Sequence, residues 1–334
     1  MRIATYNVEW FDTLFDDRGN LIADGSWSSR WDVTKAQQTA GLGHVFAAMD
    51  ADVVMVIEAP DTGTRRNAVT ALENFAAMFD LRARVALTGF INETQQEIAL
   101  MYDPYVVSAR HDPQSSVEVP RFDRSLQLDV DVDAHPDPIR WSKPPLEVAL
   151  ERNGQVLRLI GVHAKSKAPH KATTPDQIMR HSIENRRKQL AQCIWLRKRV
   201  VEHLQAGDDL IVLGDFNDGP GLDEYEKLFG RSGVEIVLGE GDAPHLFDPH
   251  AQMALSRRLG PMPTTARFKR KGQSYLQVLL DYIMVSEGLR ARDPDWQIWH
   301  PFDHPACYAD PVLRTALLDA SDHFPVVLDI DWPD

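Results

Sequence analysis

The polar chemistry of this chain is concentrated where its apolar runs stop. Val53-Val54-Met55-Val56-Ile57 stops at Glu58, Leu157 to Val162 stops at His163, and Leu210-Ile211-Val212-Leu213-Gly214 stops at Asp215-Phe216-Asn217-Asp218. Ile3-Ala4-Thr5-Tyr6 runs into Asn7-Val8-Glu9, Val278-Leu279-Leu280 meets Asp281, and Ser321-Asp322-His323 opens the last apolar run. Short aliphatic runs with almost no polar interruption are what strands covered on both faces look like. A strand end holds a side chain more tightly than a loop does. These termini, bearing carboxylate, amide and imidazole groups, therefore predict one shared site: a divalent-metal centre that attacks a phosphoester.

The rest of the pattern supplies the frame. Residues 32–49 and 65–79 carry apolar residues at helical spacing, with Asp32 as the expected cap of the first. Residues 176–205 predict a long helix, and 222–229 a short one. Strands are expected at 2–8, 52–57, 82–88, 97–102, 105–109, 209–215, 276–285 and 324–330. Residues 144–151 and 155–163 pair across Asn153-Gly154, the strongest short hairpin signal. Hairpins outnumber strand–helix–strand units, so the expected architecture is α/β, two packed sheets with helices outside. The site residues run from Asn7 to His323, which predicts a single domain over 1–334.

Composition narrows the partners. The net charge of −13 excludes a generic nucleic-acid coat protein but suits a metal enzyme, whose clustered acids a cation offsets locally. Any grip on a polyanion then falls to local cations, such as Arg257, Arg258, Arg267, Lys269, Arg270 and Lys271 in the loop-rich stretch 239–275. The two cysteines cannot build a disulfide framework. No apolar run approaches a membrane span of ~20 residues and no leader pattern is visible, so a cytoplasmic enzyme is the default expectation.

Residue by residue, Asp215 can take a proton from a water, and Asn217, on the same face by strand alternation, can orient that water or a phosphate oxygen without adding charge. Asp322 can bind metal while His323 faces substrate, with Asp281 fixing its tautomer. His163 is a second imidazole, and Glu97, opening its own strand, is its candidate partner. Lys165, Lys167 and Arg186 are the candidate phosphate contacts; for Arg186 and Arg187 a solvated helix face is the competing reading. Trp141 and Lys143 suggest at most a rim. Trp10, Trp27 and Trp31 are candidates for stacking a base, with core or loop packing the competing reading for each.

These segments, in this order, resemble the endonuclease/exonuclease/phosphatase superfamily over nearly the whole chain, from Thr5-Tyr6-Asn7-Val8-Glu9 to Ser321-Asp322-His323-Phe324-Pro325. The resemblance implies a four-layer sandwich of two mixed sheets flanked by helices. It implies that Asn7, Glu58 and Asp322 form the metal group with Glu9 beside it, and that Asp215 and Asn217 position water and phosphate. It implies further that His323, oriented by Asp281, meets the scissile phosphate, and that His163 with Glu97 forms the second imidazole pair. Two departures stand out. Ile57 precedes Glu58 where many members have Gln, and Lys143 stands where Arg often precedes Pro-Pro-Leu.

The function expected is divalent-metal-dependent phosphodiester hydrolysis with Mg²⁺ or Mn²⁺, by in-line attack of water, nucleic acid being the favoured substrate. The competing expectation is a phosphatase or phosphodiesterase acting on a small molecule or lipid headgroup.

Overall fold

A computed structural model describes residues 1–92, 94, 96–128, 137–169, 172–219, 229–256, 262–270 and 272–332. In chain order the strands are β1 (Arg2–Asn7), β2 (Val53–Pro60), β3 (Val85–Thr88), β4 (Gln96–Tyr102), β5 (Ser108–His111), β6 (Leu126–Leu128), β7 (Asp137–Ile139) and β8 (Leu146–Arg152). They continue as β9 (Gln155–His163), β10 (Leu210–Asp215), β11 (Leu246–Phe247), β12 (Ala266–Phe268), β13 (Leu276–Val278), β14 (Asp281–Ser286), β15 (Asp295–Ile298) and β16 (Val326–Asp329). The longer helices are α1 (Lys35–Met49), α2 (Ala68–Met78) and α3 (Pro175–Ala206).

Two six-stranded mixed sheets form, in the orders β15-β16-β1-β2-β4-β3 and β11-β14-β10-β9-β8-β5. Strand alternation divides each central strand between two cores. Ile3, Val53, Met55, Ile57, Leu159, Ile211, Leu213 and Ile283 fill the space between the sheets. Ala4, Tyr6, Val54 and Val56 face the opposite way, onto apolar residues of α1, α2 and the helix Pro311–Ala320. Ile160, Val162, Val212 and Met284 turn outward onto α3. Helices, sheet, sheet and helix thus make four layers, and each layer buries the apolar face of the next.

Each sheet has one parallel pair at its centre, β1 with β2 and β9 with β10. The predicted site residues Asn7, Glu58, His163 and Asp215 lie at or near the carboxyl ends of these four strands. The register then sets Asp215 level with His163 on one side and Asp281 on the other. Gly214 permits that close pairing. Its φ of +132° is one that L side chains rarely adopt, and a Cβ there would lie 2.1 Å from the carbonyl oxygen of Val162.

Some local expectations are corrected. Thr34, not Asp32, caps α1, in a reciprocal capping box with Gln37. The run 276–285 is two strands in different sheets, broken at Leu279-Leu280, with β13 pairing β12 and β14 joining the second large sheet. The Asn153-Gly154 turn forms as expected, with both residues at positive φ. The short helix expected at 222–229 falls largely outside the described residues, as do Arg257, Arg258 and Lys271 among the basic loop residues.

Candidate functional site

The distant segments meet. Asn7 Nδ2 donates to Asp215 Oδ2 at 3.0 Å, and His323 Nδ1 lies 2.8 Å from Asp281 Oδ2. His163 Nε2 lies 3.8 Å from both Glu58 Oε1 and Asp215 Oδ2. Ligand atoms of Asp215, Asp281 and His323 all fall within 4.8 Å of one another. Ser321, at the head of the last motif, ties the ends of the chain together. Its Oγ donates to Asn7 O and accepts from the backbone N–H of Glu9 and of His323.

Local backbone geometry aims the carboxylates. A register shift between Ile57 and Ala59 opens a bulge in β2, and Glu58 sits there at φ +62°. A bulge turns one side chain out of the regular alternation, and a Glu in the left-handed region is a strained conformation of the kind found at working sites. Asn217 shares the side of Asp215, but not through strand alternation. The strand ends at Asp215 and Asn217 turns back at φ +50°, so that its N–H and its Nδ2 both donate to the Asp215 carboxylate. Phe216 is buried edge-on against Tyr282, as expected of the residue between them.

Burial and like charge set the protonation states. Burial first, then Asp281, pushes Asp215 up to about 7, against His323, Asn217 and Asn7. Burial pushes Glu58 up to about 7 against Lys143 and His323, and Asp322 up to about 7 against His323, with Glu9 adding to the shift in both. Burial opposes charge on His323. The Asp281 carboxylate, by charge and hydrogen bond, outweighs it together with Asp215 and Asp322, and holds the imidazolium well above the ordinary range. His163 goes the other way: burial, then Lys143, His323 and Lys165, keep it neutral.

Glu97 is not the partner of His163. Its Oε1 accepts from the N–H of Thr62 at 2.9 Å, because adjacent residues of β4 face opposite ways and it is Gln96 that turns to the site. Gln96 Nε2 donates to Glu58 Oε2, and Gln96 Oε1 accepts from Lys143 Nζ at 2.6 Å. The amide absent at position 57 is thus supplied from the neighbouring strand. Lys143 is not a rim residue either. Its Nζ lies 3.0 Å from His163 Nδ1, and an ammonium has only donors. We assign the His163 proton to Nε2 on that contact.

The cations expected at phosphate divide. Arg186 is fully buried, with Nη1 3.7 Å from Asp218 Oδ1, and Lys167 pairs with the same carboxylate. Asp218 also accepts from the N–H groups of Gly219 and Gly233. Arg186 therefore stands behind the site instead of meeting a substrate. Lys165 lines a cavity of about 520 Å³ bordered by Arg140, Arg187 and Lys188. Glu9 pairs with Arg30, a residue whose role nothing in the local sequence signalled. Gln96 carried a signal only through its neighbour, one residue off.

Two oxygen-rich groups compete as a place for a cation. In the cluster of Asp215, Asp281 and His323, the imidazole is already bound to Asp281. In the group of Asn7, Glu58 and Asp322, the buried Asn7 Oδ1 has no hydrogen-bond partner among the described residues, and both carboxylates sit where their charge is disfavoured. An amide oxygen and two carboxylates are a hard donor set, of the kind Mg²⁺ and Mn²⁺ take.

Two mixed sheets around a buried cluster of carboxylates and imidazoles, with the family match that follows, place the chain among the phosphoric ester hydrolases. The chain belongs to the Endonuclease/Exonuclease/phosphatase family, whose sequence profile it matches over residues 4–323. No curated protein sequence matches it. Among solved structures it is similar to a truncated TDP2 from Caenorhabditis elegans, 13% identical, covering 98% of this chain and 96% of that one at a TM-score of 0.51. It is also similar to NExo from Neisseria meningitidis, a 3′-5′ exonuclease, 15% identical over 99% and 100% of the two chains at a TM-score of 0.51. A further NExo structure, of a 3′ phosphatase bound to product DNA hairpin, is 15% identical over the same shares at a TM-score of 0.50. At such identities these likenesses establish the fold.

Proposed function

We propose that this protein is a divalent-metal-dependent nuclease that hydrolyses phosphodiesters of DNA or RNA by in-line attack of water. The observation that carries the reading is the meeting of Asp215 with the His323–Asp281 pair beside Glu58 and Asn7. Asn7 Oδ1, Glu58 and Asp322 would hold Mg²⁺ or Mn²⁺, with Glu9 contributing charge from its pair with Arg30. When bound, the ion supplies positive charge to a phosphate oxygen.

Asp215 receives the proton of the attacking water. Three hydrogen bonds from Asn7 and Asn217 fix its carboxylate, and none of the donors cancels its charge. The His323 imidazolium, steadied by Asp281, faces the charge that builds on phosphate. Neutral His163 presents Nε2–H between Glu58 and Asp215, where a non-bridging oxygen can accept it. Lys165 is the remaining candidate for a neighbouring phosphate.

The preference for nucleic acid rests on the family's endonucleases and exonucleases, on the structural neighbour bound to a DNA hairpin, and on an aromatic cavity beside Asp322. Among the described residues, no helix is long and apolar enough to cross a membrane.

A substrate panel tests the reading: single-stranded DNA, duplex DNA, RNA, inositol phosphates, sphingomyelin and nitrophenyl phosphodiesters. The expected result is cleavage of an oligonucleotide, abolished by EDTA and restored by Mg²⁺ or Mn²⁺. Turnover of inositol phosphates or sphingomyelin with every oligonucleotide left intact overturns it.

A further inference from the structure

Beside Asp322 and Glu9 opens a cavity of about 780 Å³ that the mechanism does not use. That volume falls within the range of about 300–1,000 Å³ typical of small-molecule sites. Asp322 and Glu9 belong to both the cavity wall and the catalytic site. The hairpin of β12 and β13 forms another wall and is tied to the catalytic motif: Arg267 N–H donates to Asp322 O at 2.7 Å, and Phe268 meets the His323 ring edge-on at 5.6 Å.

The lining is aromatic and cationic in alternation. The Arg267 guanidinium lies 3.4 Å from the centroid of Tyr275, and Lys269 Nζ lies 4.5 Å from that of Trp31. Trp31 is 67% exposed, an unusual condition for so large an apolar ring. The wall carries as many carboxylates as cations. A polyphosphate would find little net attraction in such a wall, whereas a flat ring that binds by stacking would lose nothing. A cation over an exposed indole is a weaker contact than a stacked base, so a base can displace Lys269 from Trp31; its ammonium also lies 3.4 Å from Asp32 Oδ2, an exposed pair worth little, and can exchange that carboxylate for a phosphate.

We propose that this cavity is a subsite for one unpaired nucleobase next to the scissile phosphate, with Trp31 as its stacking surface and Lys269 and Arg267 at the adjoining backbone. This deepens the nuclease reading and rests on it. A base within a duplex is already stacked and cannot enter, so the subsite selects single strands or frayed ends.

The test is a binding cycle in EDTA, which leaves the strand intact. Labelled single-stranded oligonucleotides, each with one abasic residue at a different position, are titrated into the native protein and Trp31→Ala. One abasic position is expected to weaken native binding by about 5–150-fold, the range for one stacked base. Trp31→Ala should weaken the intact strand by a similar factor, and the two changes together should cost no more than either alone. Trp31→Phe, which keeps a ring, should recover most of the affinity. Undiminished binding by Trp31→Ala, or losses that multiply, overturns the subsite alone if the native protein still cleaves strands. If the native protein neither binds nor cleaves any strand yet hydrolyses a nitrophenyl phosphodiester, the subsite and the nuclease reading fall together.

Discussion

Asp215 and Asp218 stand on one turn of chain and are equally hidden from water, yet their charges are met in opposite ways. Asp218 lies against two cations, Lys167 and Arg186, and accepts from two backbone N–H groups. Asp215 accepts from amides, of Asn7 and Asn217, and stands close to a second acid, Asp281. The first carboxylate is neutralised by the protein itself. The second is held in position beside a single imidazolium, His323, that is already hydrogen-bonded to Asp281, and burial with the Asp281 charge raises its proton affinity. A buried charge with its counterions built in is neutralised by the fold itself, whereas one met mainly by neutral donors keeps a raised proton affinity.

The contrast can be broken most sharply on the Asp215 side. Replacing His323 with Ala should lower turnover by about 10²–10⁴-fold, the usual worth of a positioned acid–base group. Because the variant also leaves Asp281 buried without its partner, its melting temperature should fall, and turnover is compared well below that temperature; near-native turnover there would remove His323 from the chemistry. On the Asp218 side the outcome should reverse, with stability suffering first. Asp218→Ala leaves Lys167 and Arg186 facing an emptied place. Breaking a buried pair in this way costs about 3–5 kcal/mol, read as a lower urea midpoint at unchanged slope. An unchanged midpoint would show that Asp218 is not structural.

A smaller effect is expected one step back from the metal group. Gln96→Leu removes the amide that orients Glu58, and partners of this kind are worth about 10–100-fold in metal affinity. Calorimetric titration of Mg²⁺ or Mn²⁺ reads that loss without any turnover; an unchanged affinity would leave Gln96 as packing. The smallest effect concerns pH. Asp215 titrates at about 7 in the folded protein and near 3.8 otherwise, so the fold retains a proton that the unfolded chain has already lost. Its contribution to stability is complete below about pH 4 and disappears as the pH rises to about 7. Metal-free protein in EDTA should therefore melt at progressively lower temperature across that window, and Asp215→Asn should flatten part of the decline. An identical slope in the variant would contradict the buried, unneutralised state of Asp215.

Much of the site was legible before any coordinates, because strand ends announce themselves. Glu58, His163 and Asp215 follow apolar runs, and the Asp281–His323 pairing was expected and is found. What was misread turned on geometry that no local pattern carries. Glu97 was expected as the partner of His163, yet strand alternation in β4 points Gln96, not Glu97, at Glu58. Arg186 read as a helix-face residue facing either solvent or phosphate, while it lies buried against Asp218. The left-handed turn at Asn217 was hidden too, since its side chain reaches the expected place by another route.

By itself, the amino-acid sequence determined the layered α/β architecture and the identity of most of the groups that meet at its centre. The cause is local: uninterrupted apolar runs and the polar residues that end them are written in neighbouring residues. Only the tertiary structure decided which buried carboxylates meet built-in cations and which meet amides, that Lys143 rather than Glu97 faces His163, and that Trp31 shares a cavity wall with Asp322. Those outcomes depend on register between strands far apart in the chain and on the desolvation that packing imposes, quantities that exist only once the sheets have closed on each other.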